Sequence, residues 1–323
     1  MRGALPQFKG VLSEHQLLAL AQRDDVESRI VERNGARRNT AHGPFGAIRP
    51  KRRGWTILVS GVNLHNAKAD ALLRRFSFIP QARLDDVMVS YATPGGGVGP
   101  HIDSYDVFLL QGAGRRRWRI WDPRGKASSF VAQPGDLLYL PPGWRHDGVA
   151  LDACFTYSIG FRAPRAAELG AAFLDWLHER GLPDARYRDP RLTPAGAPAR
   201  IPGPIVAYAA RALGRIQWTR RDVAGFLGEY LSMPKAQLVF RPRPSPRRLA
   251  TGVVRLDLKT QLLYTGRRFF INGEAVTVSG HAAGALRRLA DRRVASGAQL
   301  ARARLSRLIS DWQRRGYLSV ERR

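Results

Sequence analysis

The sequence predicts a mixed α+β protein: a double-stranded β-helix barrel, a helical region behind it, and a C-terminal module with a winged-helix-like pattern. Three observations lead there. Between Trp55 and Phe161, short apolar runs with two-residue alternation are separated by Gly and Pro turns, the mark of antiparallel strands. From Ala166 to Leu231 apolar residues recur at helical spacing. Past residue 236, strand-like and helix-like segments alternate. These changes divide the chain into a lead-in over 1–54, the barrel over 55–164, the helical region over 165–235 and the C-terminal module over 236–323.

In the lead-in, residues 11 to 31 set Leu12, Leu17, Leu18, Leu20, Ala21 and Val26 behind Ser13, a good N-cap, and the acidic Glu14, which reads as one helix. Strands follow over Trp55–Val59 and Val87–Tyr91, with a helical stretch Ala67–Phe76 between them. The apolar run Val107–Leu110 ends at Gly112 and Gly114, and Arg115–Ile120 resumes a β pattern, so the pair reads as a hairpin. A Pro134-Gly135-Asp136 turn feeds Leu137–Leu140, and CFTYSIGF closes the barrel near Pro164.

Ala166–Arg180 spaces Leu169, Phe173, Trp176 and Leu177 along one helix face, with Gly181 as its cap. The linker DPRLTPAGAPARIPGP carries no regular pattern, and helices resume over Ile205–Leu213 and Asp222–Leu231. RPRPSPRR, 241–248, reads as a second linker. Beyond it a strand pair over Arg255–Tyr264 and Arg268–Asn272, helices Ala282–Ala290 and Leu300–Arg315, and a strand Tyr317–Val320 give the winged-helix-like order.

The length and the 44% hydrophobic content suffice for a buried core and more than one domain. No apolar run approaches the roughly 18 residues of a membrane span, and the first residues lack a signal-like apolar segment. A single cysteine, Cys154, excludes an internal disulfide and sits in an apolar strand as a packed thiol, which points to the cytoplasm. The formal charge is +27, with 47 Arg and 6 Lys among the basic residues, a bias that a GC-rich genome produces by itself. Its distribution is uneven: residues 236–323 hold 19 basic and 5 acidic side chains, a candidate footprint for RNA or DNA.

The chemistry lies in SYATPGGGVGPHIDSYDVFLLQGAGRRRWRIW and PGDLLYLPPGWRHDGV. His101 and Asp103, two apart on a strand, point to one side. His146 follows a Pro-Pro-Gly turn on a later strand. Two imidazoles and one carboxylate on one face are the donor set of a non-haem Fe(II) oxygenase. Either half alone is common by chance; together with an inward arginine the set is specific. That arginine is Arg116, which shares its strand face with Trp118 and Ile120, whereas Arg115 and Arg117 face solvent. A buried guanidinium requires an anion, and its fork suits a carboxylate, so Arg116 reads as the clamp for a dicarboxylate cosubstrate. Gly95, Gly96, Gly97 and Gly99 before His101 suit a loop where backbone passes close to another group. His15, His42, His65 and His178 sit in no ligand-like spacing.

These segments resemble the bacterial ribosomal oxygenases, JmjC/cupin-type 2-oxoglutarate oxygenases that hydroxylate an arginine of large-subunit ribosomal protein sixteen. LDDVMVSYATPGGGVGPHIDSYDVFLLQGAGRRRWRI, QPGDLLYLPPGWRHDGVA and CFTYSIGFRAP carry the likeness, which continues more loosely through residues 54–90 and at YRDP, GEYL and FFINGE. The resemblance implies Fe(II) on His101, Asp103 and His146, with O₂ and 2-oxoglutarate as cosubstrates. It implies Arg116 on the distal carboxylate of 2-oxoglutarate, with Ser90 and Thr156 as further cosubstrate contacts. It also implies a homodimer through the helical middle.

For the substrate arginine, an acidic or aromatic cradle near the motif is expected from Tyr91, Tyr105, Asp106 and Asp147. The segment between Arg119 and Gln133 is shorter than the family's, which carries an acidic excursion there. The opening MRGALPQFKGVL lacks the family's basic-aromatic lead, which reads as a start assigned late or as a decaying copy. A basic chain also meets a basic ribosomal substrate against long-range repulsion. Two other readings stand beside this one: the same chemistry on another protein or on RNA, and a catalytically dead basic scaffold that binds RNA or the ribosome.

Overall fold

In a computed structural model, every residue is described except 36, 189–193, 195, 243–248, 250 and 323. Residues 189–193 and 195 of the first expected linker and 243–248 of the second lie outside this description.

The barrel is two facing antiparallel sheets. Its strands are β1 Ser28–Asn34, β2 Arg37–His42, β3 Trp55–Val59, β4 Leu84–Ala92, β5 His101–Ile102, β6 Asp106–Ala113, β7 Arg116–Trp121, β8 Ala127–Ala132, β9 Leu137–Leu140, β10 Arg145–Ala150 and β11 Cys154–Phe161. The larger sheet has the order β2-β1-β3-β4-β11-β6-β9, and the smaller β5-β10-β7-β8. The larger sheet therefore draws strands from before residue 55. The expected helix over 11–31 is shorter than read: α1 covers Glu14–Ala21, with Ser13 and Gln16 forming a reciprocal capping box. Ser28–Asn34 is a strand, paired with β2 and β3. Its β-branched Ile30 and Val31 favour that state.

The expected hairpin at Gly112–Gly114 is instead a crossing between sheets. β6 pairs with β11 and β9, whereas β7 pairs with β10 and β8. Turn chemistry alone does not separate a hairpin from such an arch; burial does. Four consecutive β6 residues, Leu109–Gly112, are buried, so the strand needs neighbours on both edges and cover on both faces. The corner is held by Gln111, whose Nε2 donates to the carbonyls of Ala113 and Gly114 at 3.0 and 3.1 Å. Gly114 has φ 61°, where a Cβ would collide with the Ala153 carbonyl.

One face of the larger sheet buries Ile57, Val59, Val87, Val89, Tyr157 and Ile159 against α1 and α2, Ala67–Arg74. The other face looks across the barrel at the smaller sheet. Strand alternation thus sorts each strand into a core set and a cavity set.

Behind the barrel lie α3 Ala166–Glu179, α4 Gly203–Gly214 and α5 Arg220–Ser232. No residue of α3 or α4 is buried. Phe226 of α5 packs its ring against Phe173 and Trp176 of α3, while Gly225 and Gly228 of the same helix lie against Arg268 and Phe270. α5 therefore joins the helical region to the C-terminal module.

That module has strands β12 Gly252–Leu256, β13 Leu262–Thr265, β14 Arg268–Ile271, β15 Glu274–Thr277, β16 Val294–Ser296 and β17 Leu318–Arg322. Its sheets are β16-β12-β17 and β13-β14-β15. Helices α6 Gly280–Arg292, α7 Gly297–Arg302 and α8 Ser306–Arg314 close over a core that includes Val254, Leu256, Phe269, Leu286 and Trp312. The expected strand Arg255–Tyr264 is broken by a turn in which the Asp257 carboxylate accepts from Lys259 N and its carbonyl from Thr260 N. The expected helix Leu300–Arg315 is split at Arg304, φ 59°, because a left-handed residue ends a right-handed helix. Several of the module's cations are engaged within it: Arg293 donates to the carbonyls of Asp257, Leu258 and Thr260, and Arg315 pairs with Glu274 and Asp311. Among the described residues, no helix is long and apolar enough to cross a membrane.

Candidate metal and cosubstrate site

Between the two sheets lies a cavity of about 190 Å³. His101, Asp103 and His146 line one part of it, and Arg116 lines it too. β5 and β10 pair so that His101 stands opposite His146, which brings their ring centroids to 4.2 Å. Asp103 follows directly after β5 and keeps the parity of His101. Its two carboxylate oxygens lie 3.8 Å from His101 Nε2 and 3.7 Å from His146 Nε2. These separations are too long for hydrogen bonds; they leave room for an ion between the three donors, which all lie within 4.8 Å of one another.

Backbone carbonyls orient both rings. His101 Nδ1 lies 2.9 Å from the Gly99 carbonyl, and His146 Nδ1 lies 3.1 Å from that of Trp144. A carbonyl accepts only, so each Nδ1 carries the proton and each Nε2 offers its lone pair to the centre of the group. Burial, helped by the neighbouring His101 ring, holds the His146 pKa below its ordinary value and favours the neutral ligand form. The glycine loop sets the approach: a Cβ on Gly97 would collide with the Gly148 carbonyl, and Gly99 has φ 83°.

Arg116 stands in the same wall, on the face of β7 that also presents Trp118. Only 5% of it is exposed. Its Nη2 meets the Cys154 thiol at 3.6 Å, a weak partner, and its buried Nε has none among the described residues. A guanidinium so placed is an anion receptor with its anion missing from the protein itself. The larger sheet presents hydroxyls to the same cavity. Ser90 and Thr156 are direct cross-strand neighbours on β4 and β11, both line the cavity, and Thr156 Oγ1 donates to Gln111 Oε1 at 3.1 Å. Thr56 on β3, fully buried and with no partner for its Oγ1 among the described residues, lines it as well. Thr56 and Gln111 were not singled out from sequence, Thr56 because it sits in no motif and Gln111 because its motif drew attention to the histidine, aspartate and arginine; the signal for both is a polar residue inside an otherwise apolar strand.

Of the four residues expected to cradle the substrate, only Tyr105 lines the cavity. Tyr91 has the opposite parity from Ser90 and packs in the core against Trp55 and Phe155. Asp106 has the opposite parity from Val107 and is occupied by Arg83 and Tyr139. Asp147 alternates away from His146, facing Arg119 across the β7–β10 pair. An acid that the motif did not flag, Asp86 on β4, does line the cavity. Arg115 pairs with exposed Asp152, as a solvent-facing residue should.

Comparison with known proteins agrees with this geometry. A JmjC domain model matches residues 71–132 and 123–169, and a ROXA-like winged-helix model matches 215–319. The Escherichia coli ribosomal protein uL16 3-hydroxylase is 34% identical over 296 residues, covering 83% of this chain and 79% of that protein. The chain belongs to the JmjC ribosomal oxygenases. A probable ribosomal oxygenase of Haemophilus influenzae is 36% identical over 52% of this chain and 47% of its own length. Among solved structures, the E. coli ribosomal oxygenase YcfD superposes with a TM-score of 0.85 at 31% identity, covering 99% of this chain and 93% of that one. The same relative has been solved with cobalt and 2-oxoglutarate, TM-score 0.85, covering 99% and 94%. Relatives of this family thus bind a metal and 2-oxoglutarate, and the His101, Asp103 and His146 group is able to hold a metal ion here. The family's fold, a JmjC cupin-type barrel with a winged helix, is the fold of this chain. The winged-helix match begins at 215, in keeping with the packing of α5 on that module.

Proposed function

We propose that this chain is an Fe(II)- and 2-oxoglutarate-dependent protein hydroxylase acting on an arginine of ribosomal protein uL16. The observation that carries it is the pairing, in one cavity, of a His-Asp-His donor group with a buried guanidinium that lacks an anion. The residues fit the absent groups by chemistry. Two neutral imidazoles and one carboxylate suit a divalent iron, and Arg116 with three hydroxyls suits one end of a dicarboxylate. Bound iron, with 2-oxoglutarate and O₂, supplies a two-electron C–H oxidation coupled to decarboxylation of the cosubstrate to succinate and CO₂.

The chain's own residues bind and orient. His101, Asp103 and His146 would hold the metal with three protein donors. Arg116 holds the distal carboxylate of 2-oxoglutarate, with Ser90, Thr156 and Thr56 in hydrogen-bonding roles, and Gln111 keeps Thr156 aimed. Trp118 packs between Arg116 and His146, its ring 5.9 Å from the His146 ring, and excludes water from the wall. Asp86 and Tyr105 receive the target guanidinium. The Tyr105 phenol, pushed up to about 12 by burial and by nearby Asp103, Asp86 and Asp85, stays protonated in this role.

An arginine target fits the two carboxylates that the cavity wall carries beyond the metal ligands, Asp86, paired with Lys235, and Glu27, which stand there with Arg29. A ribosomal substrate places the reaction in the cytoplasm. The test is tandem mass spectrometry of a uL16 fragment after turnover: a single added oxygen on an arginine supports this reading, and an added oxygen elsewhere, or none, contradicts it.

A second copy of the chain is the partner we assign to the helical region. α3 and α4 bury no residue, and Leu174 and Leu213 are 61% and 66% exposed. α3 is covered on one side by α5, and the exposed apolar side chains of α3 and α4 are what a twofold interface would bury.

A further inference from the structure

Asp86 keeps the parity of Met88 and Ser90, which line the same cavity, and stands at an irregularity in β4. Val87 pairs with Ile159 and Leu84 with Phe161, so Asp85 and Asp86 together oppose the single residue Gly160. This is a β-bulge, and it returns Leu84, of the same parity as Asp86, to the core face. Both carboxylates turn toward one cation, Lys235, whose Nζ lies 3.3 Å from Asp86 Oδ2 and 3.9 Å from Asp85 Oδ1. Lys235 comes from 149 residues further along the chain, just past α5. It is thus delivered to the barrel wall from the segment that also carries the winged helix. Asp86 Oδ2 further accepts from Gly61 N at 2.8 Å, and Arg162 takes Asp85 Oδ1 at 3.1 Å. The Asp86 side chain is only 13% exposed.

We infer that Lys235 is a positioning residue for hydroxylation: it keeps Asp86 ionised and aimed so that Asp86 can receive the guanidinium of the substrate. The inference rests on the reading of this cavity as an arginine hydroxylase site, and goes beyond it by coupling the C-terminal half of the chain to substrate capture. The physical reason is the cost of a buried carboxylate. Burial, with Asp85 adding repulsion, raises the Asp86 pKa, and Lys235 is the main opposing charge. The other charged or titratable groups around the pair are Arg162 on Asp85, Tyr105 across the cavity, Glu27 just before β1 and Arg29 on it. Without Lys235, Asp86 takes up a proton, and a neutral acid binds a guanidinium far less strongly than a carboxylate does. Lys235 touches no metal ligand, so the metal and 2-oxoglutarate sites do not depend on it.

The experiment is steady-state hydroxylation of a uL16 fragment by the iron-loaded full-length wild type, Lys235→Met, Lys235→Arg and Asp86→Asn, from about pH 6 to pH 9. Lys235→Met should raise the fragment's KM roughly tenfold near neutral pH, about one pKa unit's worth of lost ionisation. Its kcat at saturating fragment and its KM for 2-oxoglutarate should stay near wild type. The deficit should shrink as pH rises, because Asp86 ionises there without help; Lys235→Arg should behave as wild type; Asp86→Asn should show the KM defect at every pH. An unchanged or lowered KM in Lys235→Met, or a defect equal at all pH values, overturns the inference and leaves the hydroxylase reading intact. An Asp86→Asn enzyme with wild-type KM overturns the role of Asp86 itself, and a wild type that hydroxylates no fragment overturns both.

Discussion

The Arg116 guanidinium faces the Cys154 thiol at 3.6 Å inside the barrel, and its buried Nε has no partner among the described residues. A thiol does not satisfy a buried cation. The protein therefore holds a poorly compensated charge at the place proposed for a carboxylate of the cosubstrate, and such a charge lowers stability until it is met.

From this follow opposite effects of one substitution. Arg116→Met should stabilise the cosubstrate-free protein, because a buried unpaired charge is removed. It should also weaken 2-oxoglutarate by about 2–4 kcal/mol, of order a hundredfold or more in KM. Thermal unfolding with and without 2-oxoglutarate reads both: wild type gains stability on addition, and the variant starts higher and gains little. A variant that starts lower and still responds to 2-oxoglutarate would remove Arg116 from the cosubstrate site.

The depressed pKa of His146 makes a pH prediction. Its folded-state value lies below the ordinary 6.5, with burial the main cause and the Trp144 carbonyl opposing. As pH falls the unfolded chain binds the proton first, so this residue's contribution to stability, full above about pH 6.5, is lost as pH drops toward the folded value. The melting temperature of metal-free wild type should fall over that window more steeply than that of His146→Gln. Parallel curves would show that His146 is not held neutral.

Much of the site was legible in the sequence. The parity of His101 and Asp103, the late His146 and the odd inward Arg116 all follow from strand alternation, and the structure brings these four residues to one cavity. The same rule, applied strictly, removes Tyr91, Asp106 and Asp147 from the cavity wall, since each differs by one residue from a cavity-lining neighbour. The β6–β7 arch was not legible, because a Gly-rich corner has the same local chemistry in a hairpin and in a sheet-to-sheet crossing. Asp86 follows from the same alternation, two residues before Met88 and four before Ser90, but its pairing with a lysine distant in sequence was not legible. The split of the long C-terminal helix turns on the left-handed Arg304, a residue type that gives no warning of it.

The exposed helices predict an oligomer. Val206→Glu combined with Leu213→Glu, both on α4 and 54% and 66% exposed, should convert a dimer to a folded monomer, read by light scattering with circular dichroism as the check on folding. A wild type that is monomeric at micromolar concentration, or a double variant that still dimerises, would contradict the assignment of a second copy to this face.

The most direct measurement loads the protein anaerobically with Fe(II), adds 2-oxoglutarate, O₂ and a uL16 fragment, and follows fragment mass together with succinate. The expected result is a gain of one oxygen, matched by succinate and lost in both His101→Ala and His146→Ala. Stoichiometric iron with neither product, or a mass gain that persists without His101, would contradict an oxygenase built on this His-Asp-His group.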